Sequence, residues 1–232
     1  MQPHLDQIAA WTRENKMLLN KEKSKTMIFN FTKNFKFSTR LSLENVVLEE
    51  TSETKLLGVL INNKLDWDSN TAQLIRKGNA RMRILHKLVE FGIPREDLKT
   101  IYILYVRSHL EQSCQVWHSS LTLENLTDLE RVQKNALRII LQEDYQNYSQ
   151  ALEAIGLDSL FERREKLCLS FAKKCLKSPN IQVKNIFPLN KAQSTIDTRK
   201  PEKYHINMAS TIRYKKSAVL YMQRMLNNEN EK

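Results

Sequence analysis

The sequence predicts a mainly α protein: a small mixed α/β piece, an all-helical bundle after it, and an extended C-terminal tail. Three observations carry this. The 232 residues include only four Gly and five Pro, too little turn chemistry for a loop-rich sandwich. Short β-capable runs are confined to the stretch before Asn63, and apolar residues recur at helical spacing from 66 to 178. The expected divisions are 1–63 (one helix plus strands), 64–178 (helical) and 179–232 (extended, partly disordered tail).

Each element has its own signal. "HLDQIAAWTRENKMLL" places Leu5, Ile8, Trp11 and Leu18 near one face of an amphipathic helix. A basic polar turn over 20–25 leads into "TMIFNF", short, apolar and β-capable. "FKFSTRLSLENVVLEE" alternates apolar and polar and predicts a hairpin turning at Glu44 and Asn45. "TKLLGVLIN", 54–62, is apolar on both faces and predicts a buried strand.

In "DWDSNTAQLIRKGNARMRILHKLVEF", Leu74, Gly78, Met82, Leu85 and Val89 share a helical face. Asp68 or Ser69 can cap its start, and Gly92, Ile93 and Pro94 end it. "PREDLKTIYILYVRSHLEQSCQVWH" is apolar nearly all round and predicts a continuous central helix. "TLENLTDLERVQKNALRIIL" turns Leu126, Leu129, Ala136 and Ile140 inward, and "YSQALEAIGL" and "SLFERREKLCLSFAKKCLKS" complete the array. After Pro179 periodicity fades, and "STIRYKKSAVLYMQRMLN" reads as a last short element or a docked peptide.

Composition narrows the function classes. A net charge of +11 and a pI near 9.5 favour a polyanionic partner. Cys114, Cys168 and Cys175 lack zinc-ligand spacing, and the last two lie seven apart on one helical stripe, which predicts packing in a reducing compartment. With no apolar leader behind a basic flank and no membrane-length apolar run, the protein is expected to be intracellular, cytoplasmic or nuclear, and not secreted. Neither a membrane nor a small-molecule ligand is expected as a partner.

"MLLNKEKSKTMIF", "TKLLGVLINNKLDWDSN", "RSHLEQSCQVWHSSL", "LERVQKNALRIIL", "LFERREKLCL" and "RYKKSAVLYMQRMLN" follow one another across nearly the whole chain. In that order they resemble the C-terminal part of a reverse transcriptase from a non-LTR (LINE-type) retrotransposon. The resemblance covers the end of the palm and the whole thumb of an RNA-directed DNA polymerase. It implies that "TMIF" is a palm strand whose sheet partners lie outside this sequence.

Nucleotide polymerisation uses two metal ions held by aspartates. In the family these come from a palm strand and from an aromatic-x-Asp-Asp hairpin. This sequence contains no Asp-Asp pair. The expectation is a truncated remnant, catalytically inactive alone, with no catalytic residue, no metal ligand and no cofactor; Mg is expected only for the full-length enzyme. Two features carry over by resemblance. Lys23 matches the lysine of the family's turn near the incoming nucleotide's phosphates, and Leu57, Gly58 and Val59 match the hairpin that supports the primer's end.

Other constellations are weaker. Asp66 and Asp68 in "LDWDSN" read as a helix start. His109, Cys114 and His118 would not share a face of a continuous helix, and "LLGVL" lacks the lysine of a phosphate loop.

Nucleic-acid binding has better support. Arg131, Lys134 and Arg138 form one stripe opposite Leu129, Ala136 and Ile140. Arg76, Arg83 and Lys87 form another opposite Leu74, Gly78, Met82 and Val89. Basic ridges on rigid helices can follow a phosphate backbone without reading sequence. The expected partner is RNA/DNA duplex, bound weakly and non-specifically. The alternatives are an active polymerase within a longer or complemented protein, and a basic helical scaffold for an acidic protein.

Overall fold

The computed structural model describes residues 1–32, 40–188, 204 and 206–229, and the chain divides into two units, Met1–Trp67 and Asp68–Lys232. The start of the predicted hairpin segment, 35–39, and the tail over 189–203 lie outside the described residues. The protein is mainly helical, and among the described residues its few strands are confined to the first unit.

The first unit opens with α1 (Gln2–Glu14). Its strands are β1 (Lys25–Thr26), β2 (Ser42–Leu43), β3 (Val46–Val47), β4 (Glu49–Glu50), β5 (Glu53–Leu56) and β6 (Val59–Asn62), paired as three two-stranded sheets. The face of α1 that periodicity points inward is not the buried one. Ala9 and Thr12 are buried, whereas Ile8 and Trp11 are more than half exposed. Small side chains let the helix sit close to β2, and Gln2 fixes it there: its Nε2 donates to the Ser42 carbonyl at 2.8 Å and its Oε1 accepts from the Ser42 amide at 3.0 Å.

β1 pairs in parallel with β4, and Lys25 and Glu49 form an ion pair at 3.0 Å on the same two strands. The strand expected through "TMIFNF" therefore stops after Thr26. The hairpin of β2 and β3 turns at Glu44 and Asn45, both at positive φ, as the alternation predicts. The single buried strand expected over 54–62 is instead a hairpin of β5 and β6 about Leu57 and Gly58, at φ 49 and φ 92. A two-residue turn with both φ positive matches the twist of the flanking strands, and Gly58 takes its φ without a side-chain clash. Of this hairpin only Val59 is fully buried.

The second unit is built on α2 (Asp68–Glu90), which buries Leu74, Gly78, Met82 and Leu85 as the periodicity predicts. The expected continuous central helix is broken into α3 (Arg95–Ile101), a π-helical segment (Tyr102–Arg107), α4 (Ser108–Leu110) and α5 (Cys114–Trp117). Leu98, Tyr102, Val106 and Leu110, four apart, are all buried. An α-helix of about 3.6 residues per turn rotates such positions progressively off one face; the wider π turn brings them back. Ser113, at φ 53, then redirects the chain into α5.

The remaining helices are α6 (Leu123–Leu141), α7 (Tyr148–Ile155), α8 (Leu160–Leu176), α9 (Ile181–Lys184), α10 (Ile212–Lys215) and α11 (Ala218–Glu229). Their starts are set by side chains: Thr122, Asn147 and Ser159 each accept from a first-turn amide, and Ser159 with Glu162 closes a reciprocal capping box. α2 and α6 run in the same direction. Asp68, first in α2, accepts from Asn125 Nδ2 near the start of α6 at 2.6 Å, and ten residues further along, Gly78 faces Val132. A Cβ on Gly78 would meet Val132 Cγ1 at 3.1 Å, so the missing side chain is what lets these helices approach.

The C-terminal segment is not extended throughout. α11 packs on α8, where Met222 and Leu226 join Cys168, Ala172, Cys175, Phe187 and Tyr204 in one apolar cluster. Ser119 and Ser120 hydroxyls donate to the Lys216 carbonyl at 2.7 and 2.9 Å, anchoring the turn before α11. The stretch read as a last short element or a docked peptide contains this helix, whose buried positions are Leu220, Met222, Gln223 and Leu226.

Candidate nucleic-acid interface

The inner faces of α2 and α6 fix which of their cations reach solvent. On α6, Leu129, Val132, Gln133, Ala136, Leu137 and Ile140 are buried. Gln133 is locked by three bonds: its Oε1 accepts from Tyr102 at 2.6 Å, and its Nε2 donates to the Tyr148 hydroxyl at 3.0 Å and the Asp158 carbonyl at 2.9 Å. Glu130 accepts from the first amides of α8, Leu160 at 2.9 Å and Phe161 at 3.2 Å, and from the Tyr148 hydroxyl. A carboxylate at a helix N-terminus is well placed against the dipole. With that face committed, Arg131 and Arg138 are exposed and Lys134 is half-buried.

The two stripes differ in what answers their charge. On α6, Arg131 pairs with Asp128 at 2.8 Å, one turn earlier, and the Arg138 guanidinium stacks over the Tyr145 ring at 5.2 Å. Along this helix the acidic residues, Glu124, Asp128 and Glu130, all precede the basic ones, the order that complements a helix dipole. On α2, Arg76, Arg83 and Lys87 are all exposed, and none has an acidic partner within ion-pair distance among the described residues. Between Asp68 and Glu90 the helix carries no acidic residue at all. Arg76 to Lys87 spans about 16 Å at the α-helical rise.

Arg81 was not part of the predicted stripe. It leans off α2 onto the π-helical segment, its guanidinium 4.5 Å from the centre of the Tyr105 ring and its Nη1 donating to the Tyr105 carbonyl. It is a structural cation, and its position a few residues off the Arg76, Arg83 and Lys87 line is the sequence signal for that.

In the first unit, Lys23 is exposed in a turn closed by its own amide, which donates to Asn20 Oδ1 at 3.0 Å. Leu57 is 89 % exposed at the tip of the β5–β6 hairpin, Gly58 is half-buried beside it, and Val59 faces inward. Asp66 accepts from Asn62 Nδ2 at 2.6 Å, while Asp68 is taken by Asn125, so each carboxylate has a separate structural bond. Among the described residues no group of three or more His, Cys, Asp or Glu side chains is placed to hold a metal. Among the same residues no helix is long and apolar enough to cross a membrane.

Sequence reasoning also missed Arg164, which is fully buried on α8. Its signal was its place in the run Leu160, Arg164, Cys168 and Ala172, four apart on the apolar stripe. No family model, curated protein or solved structure matches this chain.

Proposed function

We propose that the helical unit is a sequence-independent contact for duplex nucleic acid, within a piece of a non-LTR retrotransposon reverse transcriptase that carries the end of the palm and the thumb. The observation that carries the binding reading is the ridge of Arg76, Arg83 and Lys87: three exposed cations without a counter-charge among the described residues, on a rigid helix held through Gly78. Cations of this kind release condensed counterions when they meet phosphates, which supplies affinity without base reading. The α6 stripe contributes less in this reading, because Asp128 already answers Arg131. Polymerisation is assigned to no residue of this sequence, since the Asp-Asp block that the family uses does not occur in it.

The test is the salt dependence of binding to a mixed-sequence duplex, with affinity about micromolar or weaker at physiological salt. Replacing Arg76, Arg83 and Lys87 with Gln should flatten the slope of log affinity against log salt by up to about three units. The same change at Arg131, Lys134 and Arg138 should flatten it less. An unchanged slope in the α2 variant makes that ridge a solvated face and removes the reading. Templated, Mg-dependent nucleotide incorporation by the purified chain would overturn its non-catalytic part.

A further inference from the structure

An open cavity of about 390 Å³ is lined by the end of α7, the start of α8 and the π-helical segment. Its cations are Arg107, from the π segment, and Arg163, from α8. Both reach Glu111 Oε1 through Nε, at 3.1 and 3.2 Å, so the two Nε atoms are no further apart than those distances added. The Arg163 contact is a hydrogen bond; Arg107 Nε is shut off from solvent without one. Among the described residues no hydrogen bond takes an Nη of either guanidinium. Two planar forks, each with a free edge, are thus gathered over one carboxylate, an arrangement that suits a planar oxyanion. The next residue, Arg164, takes no part: it is buried and donates its Nε to His118 Nδ1 at 3.3 Å.

The rest of the lining differs in character. Leu152 and Leu157 are apolar, and Glu153 brings a carboxylate that no cation meets within ion-pair distance among the described residues. α7 also ends here, at Gly156 with φ 67, and a helix C-terminus carries partial negative charge. Lys99 Nζ borders the cavity, 3.9 Å from where a Cβ on Gly156 would stand. It is answered by Glu96 at 3.6 Å, as Asp158 is by Lys166 at 2.7 Å. Two guanidiniums then stand against Glu111 and Glu153, a balanced set. A ligand that is only an anion or only a cation would upset that balance, and a zwitterion would not.

We propose that this cavity binds an α-amino acid with an apolar side chain. Its carboxylate lies on the free edges of Arg107 and Arg163, its ammonium towards Glu153 and the end of α7, and its side chain against Leu152 and Leu157. Recognition therefore needs both charged ends of the ligand at once.

L-leucine is titrated into the isotope-labelled full chain, and the amide resonances of Gly156 and Leu157 are followed. They should shift saturably, with affinity about millimolar, as befits so small a ligand on an open site. Leucinamide, which lacks the carboxylate, and N-acetyl-leucine, which lacks the ammonium, should each bind about tenfold more weakly, the loss of one charge-assisted contact. Arg163→Gln should weaken leucine by a similar factor. Glu153→Gln should bind N-acetyl-leucine about as tightly as leucine, and because Glu153 is exposed this variant decides the matter if Arg163→Gln does not fold. No saturable shift overturns the proposal. So does N-acetyl-leucine or inorganic phosphate binding the unaltered chain as tightly as leucine, which would make this a plain anion site. A Glu153→Gln variant that keeps the full preference for the free amine overturns it as well.

Discussion

Two tryptophans mark the difference between the two units. Trp11, in α1, is 56 % exposed, while Trp117, at the end of α5, is fully buried with its Nε1 donating to the Gln112 carbonyl at 3.0 Å. The contrast is general. Met1–Trp67 turns Ile8, Leu18, Phe29, Phe31 and Leu57 to solvent, and among its described residues the strands pair only two by two, so that each of them lies at an edge. Asp68–Lys232 closes its helices on Leu85, Tyr102, Leu129, Leu137 and Leu160, none measurably exposed. Both units have regular backbone, but the first buries few large side chains, Leu43 and Trp67 among them, whereas the second surrounds many. Hydrogen-bonded turns and small residues suffice to define α1 and the hairpins; they remove little apolar area from water, and that removal is the main stabilising term. The first unit should accordingly open first, locally and at lower cost.

The sharpest break of this comparison is a matched pair of substitutions. Trp117→Ala should destabilise the second unit by about 3–5 kcal/mol, the transfer and cavity cost of a buried aromatic. Trp11→Ala should stay within about 0.5 kcal/mol, as surface changes do. Denaturant midpoints measured for both variants check it. Equal losses would mean that Trp11 is covered in solution.

A second, smaller effect separates the units by pH. His118 has a pKa of about 3 in the folded chain, through burial first and Arg164 second, against about 6.5 unfolded. Above pH 6.5 both states are neutral and the full stability is present. As pH falls from 6.5 towards 3, the unfolded state gains the proton first and stability is lost, by about 3 kcal/mol at pH 4.5. His118→Gln keeps an acceptor for Arg164 and does not titrate. Its stability should therefore be flatter between pH 6.5 and 4.5, and an identical slope in the variant would place the proton elsewhere.

How far the sequence could be read depends on whether a feature is local. The starts of α6, α7 and α8 were legible because Thr122, Asn147 and Ser159 act within their own first turn. The Glu44 and Asn45 turn was legible from the alternation around it, and Asn45 suits its positive φ. Orientation was harder. Periodicity finds a face on α1 but not whether anything packs against it, and Ala9 with Thr12 won over Ile8 and Trp11. The break at Ser113 and the π segment answer to neighbouring helices, which a run of apolar letters does not encode. Among the candidate cations, exposure followed from helical phase, while the hold of Asp128 on Arg131 and the lean of Arg81 onto Tyr105 needed the side-chain geometry. Arg164 was invisible for the opposite reason: a charged residue on an apolar stripe reads as an exception to ignore.

The smallest effect lies at the β5–β6 turn, where the first unit carries a local cost. Leu57 holds φ 49 with its side chain 89 % exposed, so it takes a backbone region that disfavours a Cβ and recovers almost no burial in return. Asn tolerates that region and, followed by Gly58, makes the preferred two-residue hairpin turn. Leu57→Asn should thus stabilise the hairpin by about 0.5–1 kcal/mol. The gain should appear as slower amide exchange in β5 and β6, which pair Thr54 with Ile61 and Lys55 with Leu60. The second unit, whose core the residue does not enter, should unfold at an unchanged denaturant concentration. If the substitution instead loosens the hairpin, Leu57 is held in place by a contact its exposure does not reveal, and the first unit is less open than its surface suggests.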